Sequence, residues 1–232
     1  LCSRATVLRG GEVVATCDPR HETARSLAEM MIGRRLGAAA PPPAGMGGEV
    51  RLALRGLSLP SAQPFGTSLR DVTLELRAGE VLGIAGVAGN GQDELMAALS
   101  GEARVAPGML ALEGRPIGAA GPARRRRLGL HAAPEERLGH AAAPEMSLVM
   151  NGFLTARGRR PEGAGGLVRR GLLRLGPARR FAEAVVARFD VRTAGVEHAA
   201  RALSGGNLQK YVIGREVMQA PRVFAAAQPT WG

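Results

Sequence analysis

A serine, two glycines and a polar run precede a helical pattern at residues 203–210, and this arrangement suits phosphate binding. Ser204 is a residue type that caps helices, while Gly205 and Gly206 leave backbone N–H groups accessible to a bulky ligand. The first turn of a helix carries free N–H donors and the positive end of the helix dipole, which together attract anions. The alternative is a capped helix without a ligand. The candidate residues of this turn are Leu203, Ser204, Gly205, Gly206, Asn207 and Gln209.

A second glycine-rich stretch, residues 86–91, lies between an apolar run at 81–85 and a helical pattern at 92–99. Strand, glycine loop and helix in this order are the context of a phosphate-binding loop, whose backbone N–H groups surround the phosphate. Gln92 and Asp93 stand where a working loop has a lysine and then a hydroxyl residue. A tight structural turn is the alternative. The candidate nucleotide-binding residues are Gly86, Gly89, Asn90, Gly91, Gln92, Asp93 and Glu94.

Four stretches of the chain resemble, in order and spacing, the motifs of ABC transporter ATPases. In residues 203–210, LSGGNLQK, the first five residues resemble the signature motif LSGGQ, and Gln209 and Lys210 follow it as Gln and Arg or Lys do in the family. Residues 86–93 resemble the Walker A loop. Residues 222–230 resemble the Walker B strand, and residues 134–139, PEERLG, resemble the Q-loop region of importers for simple sugars and nucleosides. Asn207 stands where the commonest signature has Gln, and this variant is typical of the same importers. The resemblance covers nearly the whole chain.

The resemblance also implies two losses in the ATP site of this half. The Walker A lysine neutralises charge on the β- and γ-phosphates, whereas Gln92 carries no charge and Asp93 repels phosphate unless a metal lies between them. In the Walker B strand the family has an Asp that helps to hold Mg²⁺ and a Glu that polarises the attacking water. Ala227 and Gln228 occupy these positions. Ala227 cannot bind a metal, and Gln228 cannot act as a general base, so that positioning a water is the one role left to its side chain. We therefore expect weak nucleotide binding and no ATP hydrolysis by this half alone.

The remaining candidates lie in the Q-loop region and before a predicted strand. Glu135, Glu136 and Arg137 fall where the family's Q-loop passes into the helical subdomain that contacts membrane subunits; an exposed charged loop is the alternative. Phe65 is the candidate for stacking on adenine. The four histidines show no ligand or triad spacing, so no metal-binding residue is predicted.

The hydrophobic pattern around these motifs predicts an α/β fold. Alternating runs beside a glycine pair predict a β-hairpin, and a helical stripe follows at 22–36. Alternation predicts antiparallel strands at 49–59 and 69–76, and the apolar run at 81–85 predicts a buried parallel strand. The resemblance implies a P-loop NTPase-type ABC ATPase domain with a mixed β-sheet, a small antiparallel β subdomain and an α-helical subdomain. Further helices are predicted at 146–154 and 178–189, and a closing strand at 223–227.

The chain divides by resemblance and composition into three parts. Residues 1–36 resemble the C-terminal tail of a preceding ABC ATPase domain, and residues 37–48, rich in Ala, Pro and Gly, are predicted to be a linker. Residues 49–232 resemble most of a second ABC ATPase domain, which we expect to be incomplete at its C-terminus.

Composition leaves one other class of function open. The formal net charge of +11 over 232 residues suggests, as an alternative, a basic nucleic-acid-binding fragment that uses residues 124–127 and 157–170. We interpret the arginine run at 124–127 as a solvated helix face, because the abundance of Arg, Ala, Gly and Pro is typical of chains coded by GC-rich DNA. Two cysteines are too few for a disulfide framework or a metal cluster. With no apolar run near ~18 residues and no signal peptide, we expect a cytosolic chain or one bound to membrane through a partner.

The resemblance therefore implies an ATP-binding subunit of an importer for simple sugars or nucleosides. Its cofactors would be ATP and Mg²⁺, the metal being held mainly by a partner ATPase domain that packs head to tail. The implied partners are membrane permease subunits and, indirectly, a substrate-binding lipoprotein, at the cytoplasmic face of the bacterial inner membrane; nucleic acid is not expected. A truncated product without independent activity is a further alternative.

Overall fold

The computed structural model describes residues 2–9, 11–33, 35, 48–61, 66–156 and 167–229, and the chain divides into two units, Leu1–Ala44 and Gly45–Gly232. All but one residue of the predicted linker at 37–48 lie outside the described residues, as do Phe65 and residues 157–166 of the basic stretch at 157–170.

The first unit contains a hairpin and a short helix, as predicted. Strands β1 (Ala5–Arg9) and β2 (Glu12–Cys17) pair antiparallel, and helix α1 covers Ala24–Ile32. Thr23 caps α1 in a capping box with Ser26, which satisfies donors at the start of the helix. The helix is shorter than the predicted 22–36, because a glycine in the left-handed conformation ends it directly after Ile32.

A four-stranded antiparallel sheet forms the first layer of the second unit. Strands β3 (Val50–Leu59) and β4 (Leu69–Arg77) pair along their length, which confirms the predicted antiparallel strands. Strand β5 (Leu110–Leu112) pairs with the other edge of β3 and with β6 (Arg115–Pro116), so that the order is β4-β3-β5-β6. Leucines of β3 and β5 form one apolar core with the side chains around them.

The candidate loops lie around a separate parallel pair of strands and the helices beside it. Strand β7 (Leu130–Ala133), buried at all four positions, pairs with β10 (Val223–Ala226). Helix α2 covers Gln92–Ser100 and α3 covers Pro122–Leu128. The antiparallel and parallel pairings thus occur in separate sheets.

The helical part of the second unit has its own apolar core, in which Phe181 and Val185 are almost fully buried. The four-residue spacing of Phe181, Val185 and Phe189 predicts a core-facing stripe, which is confirmed for the first two, while Phe189 is partly buried against the same core. None of the described helices is both long and apolar enough to cross a membrane. The remaining elements are helices α4 (Leu148–Ala156), α5 (Leu175–Arg188) and α6 (Gly205–Val217), strands β8 (Val168–Arg169) and β9 (Leu172–Leu173), and 3₁₀ turns at Pro107–Met109 and Ala200–Ala202.

The prediction of a buried parallel strand at 81–85 is wrong. These residues form no strand in the structure, and Val81 and Ile84 are 95% and 56% exposed. A parallel strand must pair its N–H and C=O groups with a neighbour. Among the described strands, β7 and β10 pair with each other and 81–85 joins neither, so its apolar side chains remain in solvent.

The arginine run at 124–127 is only partly the solvated face that we predicted. Arg124 and Arg127 are exposed, but Arg125 is fully buried and Arg126 is half-buried beside Glu216. Arg125 donates to backbone oxygens at the end of α2 and in the turn before α3. Because internal acceptors engage two of the four guanidinium groups, the run is a poor candidate for a nucleic-acid interface.

Candidate functional site

Ser204 lies directly before α6, at the N-cap position, with an extended backbone. The predicted N-cap position is thus confirmed, but within the described residues the Ser204 side chain makes no capping hydrogen bond to the helix. Instead Ser204 Oγ accepts a hydrogen bond of 2.8 Å from Asn207 Nδ2. Gly205 and Gly206, the first residues of α6, present backbone N–H groups at the positive end of the helix dipole.

Arg137, from the predicted Q-loop region, lies beside this turn. A Cβ added to Gly205 would be 2.6 Å from Arg137 Nη1, so the guanidinium lies against the backbone of residue 205. The structure thereby brings one Q-loop candidate to the signature turn, while Glu135 and Glu136 are exposed. An arginine next to a helix N-terminus adds positive charge where an anion would bind.

In the phosphate loop, the side chain of Gln92 forms hydrogen bonds with the backbone of the loop itself. Gln92 Nε2 donates to Val87 O at 2.9 Å, and Asn90 N donates to Gln92 Oε1 at 3.0 Å. Thr67 Oγ1 also donates to Gly89 O at 2.6 Å, which ties the loop to the residues before β4. Because Gln92 accepts from Asn90 N, a phosphate that approaches the loop must compete for that donor.

The start of α2 adds negative charge at the same place. Gly91 adopts a left-handed conformation with φ of 102°, and Asp93 and Glu94 occupy the first helical turn. Acidic residues stabilise a helix N-terminus but repel a phosphate that would bind there. Together with Gln92, Asp93 and Glu94 make this loop poorly suited to bind a nucleoside triphosphate.

The Walker B position also lacks a metal ligand and a general base. Ala227 N continues the parallel pairing through a 3.0 Å bond to Ala133 O, and the methyl side chain offers no ligand. Gln228 has a positive φ of 43°, and its backbone O accepts from Gln209 Nε2 at 2.7 Å. The signature helix is therefore joined to the Walker B position. Neither Ala227 nor the Gln92 loop fits Mg²⁺-bound ATP, whereas the turn at Ser204 fits a phosphate group.

A buried ionic cluster at the C-terminal end of α6 was not predicted from the sequence. Glu216, fully buried, accepts from Arg215 Nε at 3.0 Å and lies 2.9 Å from His131 Nδ1, and Arg126 also contacts it. Arg215 donates further to Ala141 O and Asn151 O. The available signal was that Arg215 falls on the stripe of α6 that also carries Leu208 and Val212. A charged residue on an apolar stripe indicates an internal ion pair.

The charges of this cluster keep Glu216 ionised. Burial raises the pKa of this carboxyl group, but the Arg215 charge, the His131 hydrogen bond and Arg126 outweigh burial and lower the pKa to about 2. The last turn of α6 is therefore fixed to α3 and β7 by a permanent charge, and α6 holds the signature turn at its other end.

Comparison with known proteins places these features in context. A family model described as ABC transporter matches residues 69–230. The guanosine import ATP-binding protein NupO of Bacillus subtilis is 35% identical over 232 residues, covering 100% of this chain and 44% of that protein. The ribose import ATP-binding protein RbsA 1 of Rubrobacter xylanophilus is 37% identical over 231 residues, covering 99% of this chain and 43% of that protein. The chain thus spans less than half the length of these curated relatives.

Solved structures show the same fold. A nucleotide-free ATP-binding cassette from an ABC transporter matches with a TM-score of 0.57 at 18% identity, covering 79% of this chain and 70% of that one. A dimeric cassette in a post-hydrolysis state with ADP and Pi matches with a TM-score of 0.59 at 18% identity, covering 78% and 75%. These matches confirm the predicted α/β fold class, with its antiparallel sheet and helical subdomain.

Proposed function

The chain belongs to the ABC transporter family, and on that premise we propose that it is part of the ATP-binding subunit of an importer for simple sugars or nucleosides. The relatives named for guanosine and ribose import align with practically the whole chain at 35% and 37% identity, which supports this class of substrate. In the proposal, ATP binding and hydrolysis by the complete subunit drive uptake, and this half contributes a signature turn.

The observation that carries the proposal is the contrast between the Walker residues of this chain and its signature turn. Gln92 closes the phosphate loop from within, and Ala227 supplies no ligand for Mg²⁺. Ser204, by contrast, is exposed at the start of a well-anchored helix, beside Arg137. A half with this combination is suited to complete the site of another ATPase domain and not to hydrolyse ATP by itself.

We assign the two units of the chain accordingly. The hairpin and α1 are the C-terminal tail of a preceding ATPase domain, residues 37–48 are the linker, and residues 49–232 belong to a second ATPase domain. The division into Leu1–Ala44 and Gly45–Gly232 and the 43–44% coverage of the relatives support this assignment.

The proposed assembly follows from this division of roles. Two ATPase domains close head to tail, and the other domain holds ATP and most of the Mg²⁺ coordination against Ser204, Gly205 and Gly206 of this one. Membrane permease subunits bind the pair at the cytoplasmic face of the bacterial inner membrane, and a substrate-binding lipoprotein acts through them.

The test is to substitute one residue in the signature turn and one in the phosphate loop of the intact transporter, reconstituted in lipid vesicles. We expect Ser204→Arg to abolish ATP hydrolysis, because a bulky cation fills the turn that faces the other domain's ATP. Gln92→Ala should change the hydrolysis rate by less than about twofold, since its loop does no chemistry. Equal loss of activity in both variants would contradict the proposal.

A further inference from the structure

Asn207 forms two side-chain hydrogen bonds that fix its orientation. Its Oδ1 accepts from Arg192 N at 2.8 Å, and its Nδ2 donates to Ser204 Oγ at 2.8 Å. The first bond ties the turn to the loop that follows α5, and the second reaches the serine directly.

The chemistry of the partners determines which way each bond runs. A backbone N–H can only donate, so the Asn207 atom that faces Arg192 must be the amide oxygen. The other atom is then the NH₂ group, which also only donates, so Ser204 Oγ must be the acceptor. The hydroxyl hydrogen of Ser204 is consequently not used in this contact and remains available for an acceptor outside the turn.

We infer that Asn207 is a positioning residue that holds the Ser204 hydroxyl as a hydrogen-bond donor to a phosphate oxygen. The inference rests on the proposed function, in which Ser204 faces ATP held by another ATPase domain. A phosphate oxygen accepts hydrogen bonds and cannot donate them at neutral pH. The side chain that contacts Ser204 must therefore be a donor if the hydroxyl is to donate to phosphate, and Asn207 meets that requirement.

The chain supplies a matched control for a purely structural role. Lys210, three residues later on α6, donates from Nζ to Asp190 O at 2.9 Å and so holds the same loop after α5. Lys210→Ala removes a tether of that loop without removing the bond to Ser204. A role for Asn207 in loop stability alone predicts the same effect for Lys210→Ala and Asn207→Ala.

The experiment compares Asn207→Ala, Asn207→Asp, Ser204→Ala and Lys210→Ala in the intact transporter in lipid vesicles. For Asn207→Ala we expect kcat for ATP hydrolysis to fall about tenfold with KM within about twofold, the size of one lost hydrogen bond. Asn207→Asp keeps the bond from Arg192 N but accepts the Ser204 proton, so the loss should be larger than for alanine. Lys210→Ala should stay within about twofold of the unsubstituted transporter.

Two further measurements separate positioning from general damage. In the Ser204→Ala background, Asn207→Ala should lower kcat by less than about twofold more, because the two side chains act as a unit. Spin-label distances between the two ATPase domains, at a saturating non-hydrolysable ATP analogue, should show the closed-to-open ratio falling about tenfold in Asn207→Ala, in line with kcat.

The outcomes distinguish this inference from the proposed function. If Ser204→Ala leaves hydrolysis unchanged, both are overturned. If Ser204→Ala lowers kcat but Asn207→Asp does not, only the role of Asn207 is overturned. Additive losses in the double variant, or equal losses in Lys210→Ala and Asn207→Ala, also overturn that role.

Discussion

Two glycine-rich turns precede helices in this domain, and they differ in what occupies the donors of the turn. In the phosphate loop, Gln92 accepts from Asn90 N and donates to Val87 O, so the loop binds its own side chain. In the signature turn, Asn207 directs its bonds to Ser204 and to the neighbouring loop and leaves the glycine backbone accessible. The spacing of glycines alone does not create a phosphate site. The neighbouring polar side chain determines whether the backbone N–H groups of the turn are hydrogen-bonded within the turn or are available to a ligand.

The helices that follow the two turns are anchored to different extents. Helix α2 has one fully buried residue, Ala98. Helix α6 buries six, including the ion-paired Arg215 and Glu216, and Tyr211 also donates its hydroxyl hydrogen to Leu148 O. The retained turn thus stands on a rigid helix, which is the arrangement that a site acting on a second domain requires.

The largest effect that this comparison predicts is on stability. Glu216→Ala should lower the free energy of unfolding by about 3–5 kcal/mol, because it leaves the buried Arg215 without its carboxylate. The matched change in the other helix, Asp93→Ala, should cost less than about 1 kcal/mol, the contribution of an exposed acidic residue in a first turn. Urea denaturation of both variants measures the difference, and equal costs would show that the helices are anchored alike.

Acid should weaken α6 through the same carboxylate. The pKa of Glu216 is lowered to about 2, below the ordinary value of 4.5, so its contribution is present above about pH 4.5 and is lost as the pH falls towards 2. The loss amounts to roughly 3 kcal/mol. Urea titrations at successive pH values measure it, and Glu216→Gln should show a flatter dependence between pH 5 and 2. A variant with an unchanged slope would rule out Glu216 as the source.

Replacing one glycine in each turn by alanine should change the free energy of unfolding by different amounts in the two turns. This difference should be smaller than the difference between Glu216→Ala and Asp93→Ala. Gly91→Ala should cost about 1–2 kcal/mol, because residue 91 is left-handed and the new Cβ would lie 3.0 Å from Leu69 Cδ2. Gly205→Ala meets only the flexible end of Arg137, so stability should change by less than about 0.5 kcal/mol. Thermal unfolding compares the two, and a reversed order would contradict the geometry of the turns.

The smallest effect concerns nucleotide affinity. Gln92→Lys should tighten ATP binding to this domain about tenfold, because it adds a charge and frees Asn90 N. Gln92→Met frees the same donor without adding a charge, so it should tighten ATP binding by less than Gln92→Lys does. Calorimetry with and without Mg²⁺ checks both variants. Micromolar, Mg²⁺-dependent binding by the unsubstituted chain would remove the basis for calling the loop closed.

Local patterns predicted the fold well where the contacts are local in sequence. The hairpin of the first unit, strands β3 and β4, and the amphipathic α5 all follow from alternation or helical spacing. Residues 81–85 were predicted wrongly because hydrophobicity cannot reveal whether a strand has a partner to pair with. That information lies in residues that are distant in the sequence.

The candidate site was predictable in composition and not in arrangement. The motif residues were visible as types, but the direction of Gln92 into its own loop depends on a side-chain conformation that no pattern encodes. The position of Arg137 beside Gly205 joins residues 68 positions apart in the numbering, and the Glu216 cluster joins three separate elements. Long-range polar contacts of this kind become visible only when the chain is folded.

The buried Arg125 and the exposed Arg124 and Arg127 differ in how well each position would tolerate a mutation from arginine to lysine. Its guanidinium donates to the backbone oxygens of Ala98, Leu99, Gly118 and Ala120, and although burial lowers its pKa to about 10 it stays charged at neutral pH. An ammonium group has three donors and no planar fork, so a lysine codon here would leave carbonyls unpaired. At exposed Arg124 and Arg127 the same codon change is physically neutral. Lys210 is the one lysine of the chain, which is consistent with a nucleotide bias towards arginine codons. At exposed positions the structure imposes no requirement for arginine, whereas at position 125 the fold itself requires the guanidinium group.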